Sequence, residues 1–181
     1  MRSKLLVVLG ALGFLAFTPG CPAEGIGDPC VPEDEYSSTF SGFALTEVST
    51  ESRSFSCQSR LCLVNHFQGR VSCPYGQEPD STGARCTLPG SDAPIGASVP
   101  PQLLDRRAED AVYCSCRCDG PDPKARYCEC PNGFRCAAVV PDFALGRAQL
   151  PGSYCLREGS EYDESRVREN AACTLDAANC D

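Results

Sequence analysis

The chain has 181 residues and a net charge of −8 at pH 7, and it contains 15 cysteines beside 15 prolines and 16 glycines. Nucleic-acid-binding proteins need a basic face, so a net negative chain argues against a nucleic-acid partner. Tryptophan is absent, and the cysteine density is typical of a disulfide scaffold made in an oxidising compartment rather than of a large hydrophobic core.

The first twenty residues predict a secretory signal peptide. Arg2 and Lys4 are the only charged residues before Glu24, and the run Leu5–Phe17 contains only apolar residues and glycine. A basic start followed by a short apolar core is the pattern of a secretory signal. The run is shorter than the roughly 20 residues that a membrane-spanning helix needs. We therefore expect residues 1–20 to be removed during export.

Cys21 follows the small residue Gly20 at the end of this segment. The stretch Met1–Cys21 resembles a bacterial lipoprotein signal, in which a cysteine after a small residue is acylated and becomes the new N-terminus. The resemblance implies that Cys21 carries a lipid, which would hold the protein on a membrane. The alternative is ordinary signal cleavage nearby, which would leave Cys21 as a disulfide partner.

The lipoprotein signal and the cysteine density together resemble the cysteine-rich lipoproteins of Gram-negative cell envelopes. This resemblance implies an outer-membrane or cell-surface location. In that family an Asp directly after the lipidated cysteine retains many proteins at the inner membrane, and Pro22 occupies that position here.

The part of the chain after the signal is predicted to contain a spacer and one domain. Residues 21–38 are rich in proline and carry the acidic run Glu33–Glu35, which favours a spacer between lipid and fold. An ordered arm pinned by Cys30 is the alternative. Residues 39–181 are expected to form a single disulfide-crosslinked domain. Within it, the stretch 89–101 (PGSDAPIGASVPP) has the proline and glycine content of a linker.

The strongest strand signal is the alternation of Cys114, Cys116 and Cys118 with other residues, because a period of two places the cysteines on one face. The turn-rich loop Asp119–Arg126 follows, and a second strand is expected after it. We therefore predict a hairpin core around residues 112–140. A short helix is expected just before it. The predicted fold is small, disulfide-rich and β-containing, with much irregular structure and few short helices.

Fourteen cysteines remain when Cys21 is set aside, and all are predicted to form disulfides. They are Cys30, Cys57, Cys62, Cys73, Cys86, Cys114, Cys116, Cys118, Cys128, Cys130, Cys136, Cys155, Cys173 and Cys180. Five of them precede the 89–101 stretch and nine follow it. If all pair within one chain, an odd number of bridges must cross that stretch. The two halves therefore cannot be independent domains, each crosslinked only by its own disulfides.

No motif in the sequence predicts catalysis or a cofactor. The chain contains no C-x-x-C pair, the usual spacing of a zinc knuckle or a thioredoxin-like redox site. His66 is the only histidine and no G-x-S-x-G is present, so no nucleophilic triad is indicated. We expect no metal, no cofactor and no enzymatic activity.

The leading hypothesis is a lipid-anchored envelope protein with a structural or binding role, whose protein or envelope ligand the sequence leaves open. The alternative is a soluble, secreted, inhibitor-like or ligand-binding domain with Asp119–Arg126 as an exposed contact loop.

Overall fold

The computed structural model describes residues 24–78, 85–140, 152–163, 165 and 171–180. The predicted signal peptide and Cys21 lie outside these residues. Two antiparallel three-stranded sheets form the framework, with strand orders β1-β2-β3 and β4-β6-β5. Their strands are β1 (Val48–Glu51), β2 (Cys62–Asn65), β3 (Val112–Cys114), β4 (Arg117–Asp119), β5 (Phe134–Val140) and β6 (Gly152–Arg157). The predicted fold class, small and disulfide-rich with β structure, is confirmed.

Helical structure is short in the described part of the chain. One α-helical turn, α1 (Ala108–Ala111), leads into β3, and a 3₁₀ turn spans Glu33–Tyr36. This part of the chain has no helix with the length and apolarity that a membrane crossing requires.

The strand β2 is buried on both faces and forms the centre of the fold. On one face, Val64 packs in a cluster with Phe43, Phe67 and Val112. On the other face, Leu63 packs with Tyr113, Tyr154 and Leu156. Since Tyr154 and Leu156 belong to β6, this second cluster joins the two sheets. A strand covered on both faces needs apolar side chains on both, as in the run Cys62–Val64.

The predicted hairpin over residues 112–140 is wrong in its pairing, although strands do form there. β3 pairs with β2, and β4 and β5 each pair with β6, which lies between them. The chain leaves the first sheet at Ser115, whose hydroxyl donates to the Cys155 carbonyl oxygen at 2.9 Å. The alternating cysteines therefore serve two sheets. The insertion of β6 is favoured because it buries Tyr154 and Leu156.

The stretch 89–101 is not a free linker. Ile95 and Val99 are each only 2% exposed and pack with Cys73 and Cys86. Val99 also exchanges two backbone hydrogen bonds with Gln77, at 2.7 and 2.8 Å. Proline and glycine set the irregular path of this segment, but two apolar side chains in a disulfide-lined cluster fix it to the fold.

The described part of the predicted spacer is an ordered arm. Cys30 is bonded to Cys62 in β2, and Glu35 is fully buried although it lies in the acidic run. Backbone hydrogen bonds also join Gly27 and Asp28 to Cys114 in β3. The alternative of an arm pinned by Cys30 is therefore the correct description of residues 24–38.

All fourteen described cysteines are bonded to one another in seven bridges. The bridges are Cys30–Cys62, Cys57–Cys114, Cys73–Cys86, Cys116–Cys128, Cys118–Cys136, Cys130–Cys155 and Cys173–Cys180. Of these, Cys57–Cys114 alone crosses the 89–101 stretch, which satisfies the odd number that the cysteine counts require.

Candidate binding groove

A groove with a volume of about 560 Å³ opens between the N-terminal arm and the turn that follows β1. We call it the aromatic groove, because Phe55 and Tyr36 line it and are 89% and 56% exposed. Its lining consists of Val31, Glu33, Tyr36, Glu51, Arg53, Ser54, Phe55, Ser56 and Arg60. A volume of this size lies within the usual range of ligand sites.

Both walls of the aromatic groove are tied to the first sheet by disulfides. Cys30, next to Val31 in the arm, is bonded to Cys62 in β2. Cys57, at the centre of the turn, is bonded to Cys114 in β3. The sulfurs of Cys30, Cys57 and Cys114 lie within 4.8 Å of one another, so the two bridges are adjacent. The walls are thus held rigidly, which lowers the entropy cost of binding.

The turn places the Phe55 side chain in solvent, while hydrogen bonds within the turn hold its backbone in place. Ser54 N–H donates to the Arg60 carbonyl oxygen at 3.1 Å, and the Ser54 and Ser56 hydroxyls lie 2.9 Å apart. The Arg60 guanidinium carbon sits 4.7 Å from the Phe55 ring centroid, a cation–π contact that supports one face of the ring. The other face stays open to solvent. Phe55 shares the groove with the exposed ring of Tyr36, and neighbouring exposed apolar groups are a feature of interaction sites.

The groove carries acidic and basic groups in equal number. Glu33 and Glu51 line it together with Arg53 and Arg60. The Glu51 carboxylate accepts a hydrogen bond from Glu33 N–H at 3.1 Å, which links β1 to the arm. Partial burial raises the pKa of Glu51 above its ordinary value, and the neighbouring charges of Glu33 and Asp34 raise it further, against the lowering effect of that hydrogen bond.

A buried ion pair fixes the arm behind the groove. Glu35 and Arg70 are both fully buried, with Arg70 Nε 4.0 Å from Glu35 Oε2. The carboxylate accepts hydrogen bonds from Val71 N–H and from the backbone and hydroxyl of Ser72, the latter two at 2.9 and 2.7 Å. Arg70 donates to the backbone carbonyl oxygens of Glu35, Ser37 and Phe40. The arm is therefore held by charge-assisted hydrogen bonds as well as by Cys30.

The loop Asp119–Arg126, the contact predicted from the sequence, is mostly exposed and is closed by Cys116–Cys128. Tyr127 braces it, since its hydroxyl accepts from the Arg117 guanidinium at 3.2 Å and donates to the Asp122 carbonyl oxygen at 2.7 Å. The loop is thus a second rigid surface, remote in sequence from the aromatic groove.

His66 lies at the end of β2 beside a smaller cavity of about 390 Å³. Its backbone has a φ of 51°, in the left-handed region, and its ring stacks on Tyr162 with centroids 4.0 Å apart. Nδ1 lies 3.0 Å from the Leu45 carbonyl oxygen, so Nδ1 carries the proton and donates it. Burial lowers the pKa of His66, the Leu45 hydrogen bond opposes this, and the Arg106 charge adds to it. A triad histidine would use Nδ1 to contact a carboxylate instead.

Among the described residues, three groups of cysteines have sulfurs close enough to contact one ion, and every one of those sulfurs belongs to a bridge described above. Thiolates, not bonded disulfides, are the ligands of zinc and copper(I). The oxidised protein therefore offers no thiolate from these groups.

The residues of the aromatic groove were not singled out from the sequence. The available signal was weak: Phe55 is an isolated aromatic flanked by Ser54 and Ser56, next to Cys57. Comparison of the chain with protein families, with curated proteins and with solved structures finds no significant match.

Proposed function

We propose that this chain is a lipid-anchored, cysteine-rich protein of the cell envelope that acts by binding rather than by catalysis. One observation carries the binding role: Phe55 is 89% exposed on a turn that a disulfide fixes to the first sheet. Exposing an aromatic ring costs hydrophobic free energy, and rigid display of such a ring favours recognition of a partner. The bond of His66 Nδ1 to a carbonyl oxygen is consistent with a non-enzymatic role.

The lipid anchor is supported by the cysteine pairing. Each described cysteine is bonded to another described cysteine. None of them is therefore left to pair with Cys21 inside the chain. Acylation accounts for this remaining cysteine and agrees with the signal that precedes it. The resemblance to envelope lipoproteins supports an outer-membrane or cell-surface location, and seven bridges favour an oxidising compartment.

The test is the intact mass of the protein purified from envelopes, measured before and after alkylation without reductant. The expected result is a chain that begins at Cys21, carries acyl chains and takes up no alkylating reagent. The matched control is Cys21→Ser, which should lose the acyl mass and leave the membrane fraction. An unacylated protein with one alkylated thiol, or a disulfide-linked dimer, would contradict the anchor.

A second candidate is a soluble, inhibitor-like or ligand-binding domain, which is favoured by the exposed, bridge-closed loop Asp119–Arg126. Alanine substitutions along this loop and at Phe55 would be compared in pull-downs from envelope extract. Loss of the partner in the loop variants alone would select this second candidate. Loss in the Phe55 variant alone would select the groove.

A further inference from the structure

Among the residues that the structure describes, most of the large hydrophobic side chains that are exposed lie in the aromatic groove, and those are aromatic. Three large hydrophobic side chains are exposed among the described residues, and two of them, Tyr36 and Phe55, line the groove; the third is Leu175. The faces of aromatic rings carry negative potential and attract weakly positive C–H groups as well as cations. The occupant therefore has a flat, apolar face that can stack on a ring.

The charges that line the groove argue against a strongly charged occupant. Two carboxylates, of Glu33 and Glu51, are balanced by two guanidinium groups, of Arg53 and Arg60. A phosphate or carboxylate ligand would meet both acidic groups, and an ammonium ligand would meet both basic groups. Charge complementarity thus favours an occupant without net charge.

The same groups supply hydrogen bonds of both kinds. Carboxylates accept, guanidinium groups donate, and the Ser56 hydroxyl does either. Carboxylate and guanidinium groups present two atoms in one plane, a geometry that can engage two adjacent hydroxyl groups at once. A sugar ring combines an apolar C–H face with an edge of hydroxyls that both donate and accept.

We propose that the aromatic groove binds an uncharged glycan, with a sugar ring stacked on the open face of Phe55 and its hydroxyls hydrogen-bonded to Glu33 and Arg53. This inference rests on the proposed binding role and names its ligand class. The Arg60 guanidinium covers the opposite face of the Phe55 ring, and Tyr36 supplies a second exposed ring in the same groove.

A polypeptide is the competing occupant, because β1 is the edge strand of its sheet and Glu51 ends it. Strand addition would depend on the backbone of β1 and only weakly on Phe55. With only four residues, β1 offers a short edge. The two occupants therefore differ in their dependence on the aromatic rings.

The experiment uses the full chain, purified in mild detergent, on an array of neutral, uronic-acid-containing and phosphorylated oligosaccharides. Binding to neutral members is expected, followed by isothermal titration with the strongest one. Phe55→Ala and Tyr36→Ala should each weaken that binding by about tenfold or more, in the range of truncated aromatic contacts. Leu175→Ala, the matched exposed control, should leave it unchanged. Because Phe55 is so exposed, its variant should keep the wild-type Tm.

Absence of binding to every neutral oligosaccharide would overturn the glycan assignment, and so would binding that Phe55→Ala leaves intact. A photo-reactive side chain placed at position 55 separates this outcome from a failure of the proposed function. If it captures a polypeptide instead, the binding role stands and the ligand class is wrong. If the acyl chain on Cys21 is also missing, the proposed function fails independently.

Discussion

Replacing Glu35 by glutamine should destabilise the protein strongly although the two side chains have nearly the same shape. Glu35 and Arg70 are both fully buried. The change leaves the Arg70 guanidinium without its negative partner in the interior. It also turns part of an acceptor-only carboxylate into a donor that faces the Val71 and Ser72 N–H groups.

The expected loss is about 3 kcal/mol. Removing one member of a buried ion pair costs about 3–5 kcal/mol, because the other charge stays buried and unpaired. The backbone carbonyl oxygens of Glu35, Ser37 and Phe40 still accept from Arg70, which places the cost at the low end. Each charge-assisted hydrogen bond that is lost contributes roughly 1.5–3 kcal/mol, which agrees with this magnitude.

The assay is urea denaturation at pH 7 with all disulfides intact, compared between wild type and variant. Asp34→Asn is the matched control, since Asp34 is the exposed neighbour of Glu35, and its effect should stay within about 0.5 kcal/mol. In the double variant Glu35→Gln, Arg70→Met, the unpaired charge is gone, so the loss should be smaller than the sum of the single losses. A loss below about 1 kcal/mol for Glu35→Gln would refute this account of the arm.

Three further predictions follow from the bridges and the perturbed acid and base. The double variant Cys57→Ala, Cys114→Ala should lose about 4 kcal/mol of unfolding free energy in guanidinium titrations, which is the chain entropy of a 57-residue separation. Proteolytic cleavage of this variant in 89–101 should then release separable fragments under denaturing, non-reducing conditions. Fragments that stay linked would contradict the pairing. The pKa of His66 is lowered in the folded state, so the unfolded chain binds the proton first and stability falls as pH drops below about 6.5. His66→Asn, which tolerates the left-handed backbone, should remove that part of the fall, and an identical pH profile in the variant would argue against it. The pKa of Glu51 is raised in the folded state, so ionisation of its carboxylate destabilises the fold as the pH rises. Glu51→Gln should therefore be more stable than wild type at pH 7 by less than about 1 kcal/mol, and the difference should disappear below about pH 4. Thermal melts at both pH values would test this.

The fold class could be predicted from the sequence, but the strand partners could not. Alternation of Cys114, Cys116 and Cys118 indicates extended chain equally well for one long strand or for two short ones. The break at Ser115 depends on the Cys155 carbonyl oxygen, which a distant strand supplies. β6 has little pattern of its own, and its position between β4 and β5 comes from tertiary packing of Tyr154 and Leu156.

The packing of the 89–101 stretch, the burial of Glu35 and the aromatic groove could not be predicted for a related reason. Proline and glycine content predicts an irregular backbone, and 89–101 has one, but composition does not tell whether Ile95 and Val99 are buried. Glu35 looks like part of a solvated acidic run until Arg70, 35 residues away, is brought beside it. Phe55 likewise lies on a turn that Cys57–Cys114 ties to β3, and the cysteine counts require such a crossing bridge without identifying its two members.

The short distances between the cysteine sulfurs around the β4-β6-β5 sheet have a consequence for the formation of the disulfides. Cys155 Sγ lies 3.6 Å from Cys116 Sγ and 3.7 Å from Cys128 Sγ, although it is bonded to Cys130. Six cysteines in three adjacent bridges allow fifteen pairings, and small movements connect some of them.

If the chain is exported from its N-terminus, as we propose, Cys155 enters the oxidising compartment after the other five cysteines of these bridges, Cys116, Cys118, Cys128, Cys130 and Cys136. Five cysteines cannot all pair among themselves, so one thiolate remains to attack its neighbours until β6 arrives. We therefore expect oxidative folding to pass through scrambled isomers and to depend on a disulfide isomerase. Recombinant protein made without one should migrate as several species on a non-reducing gel.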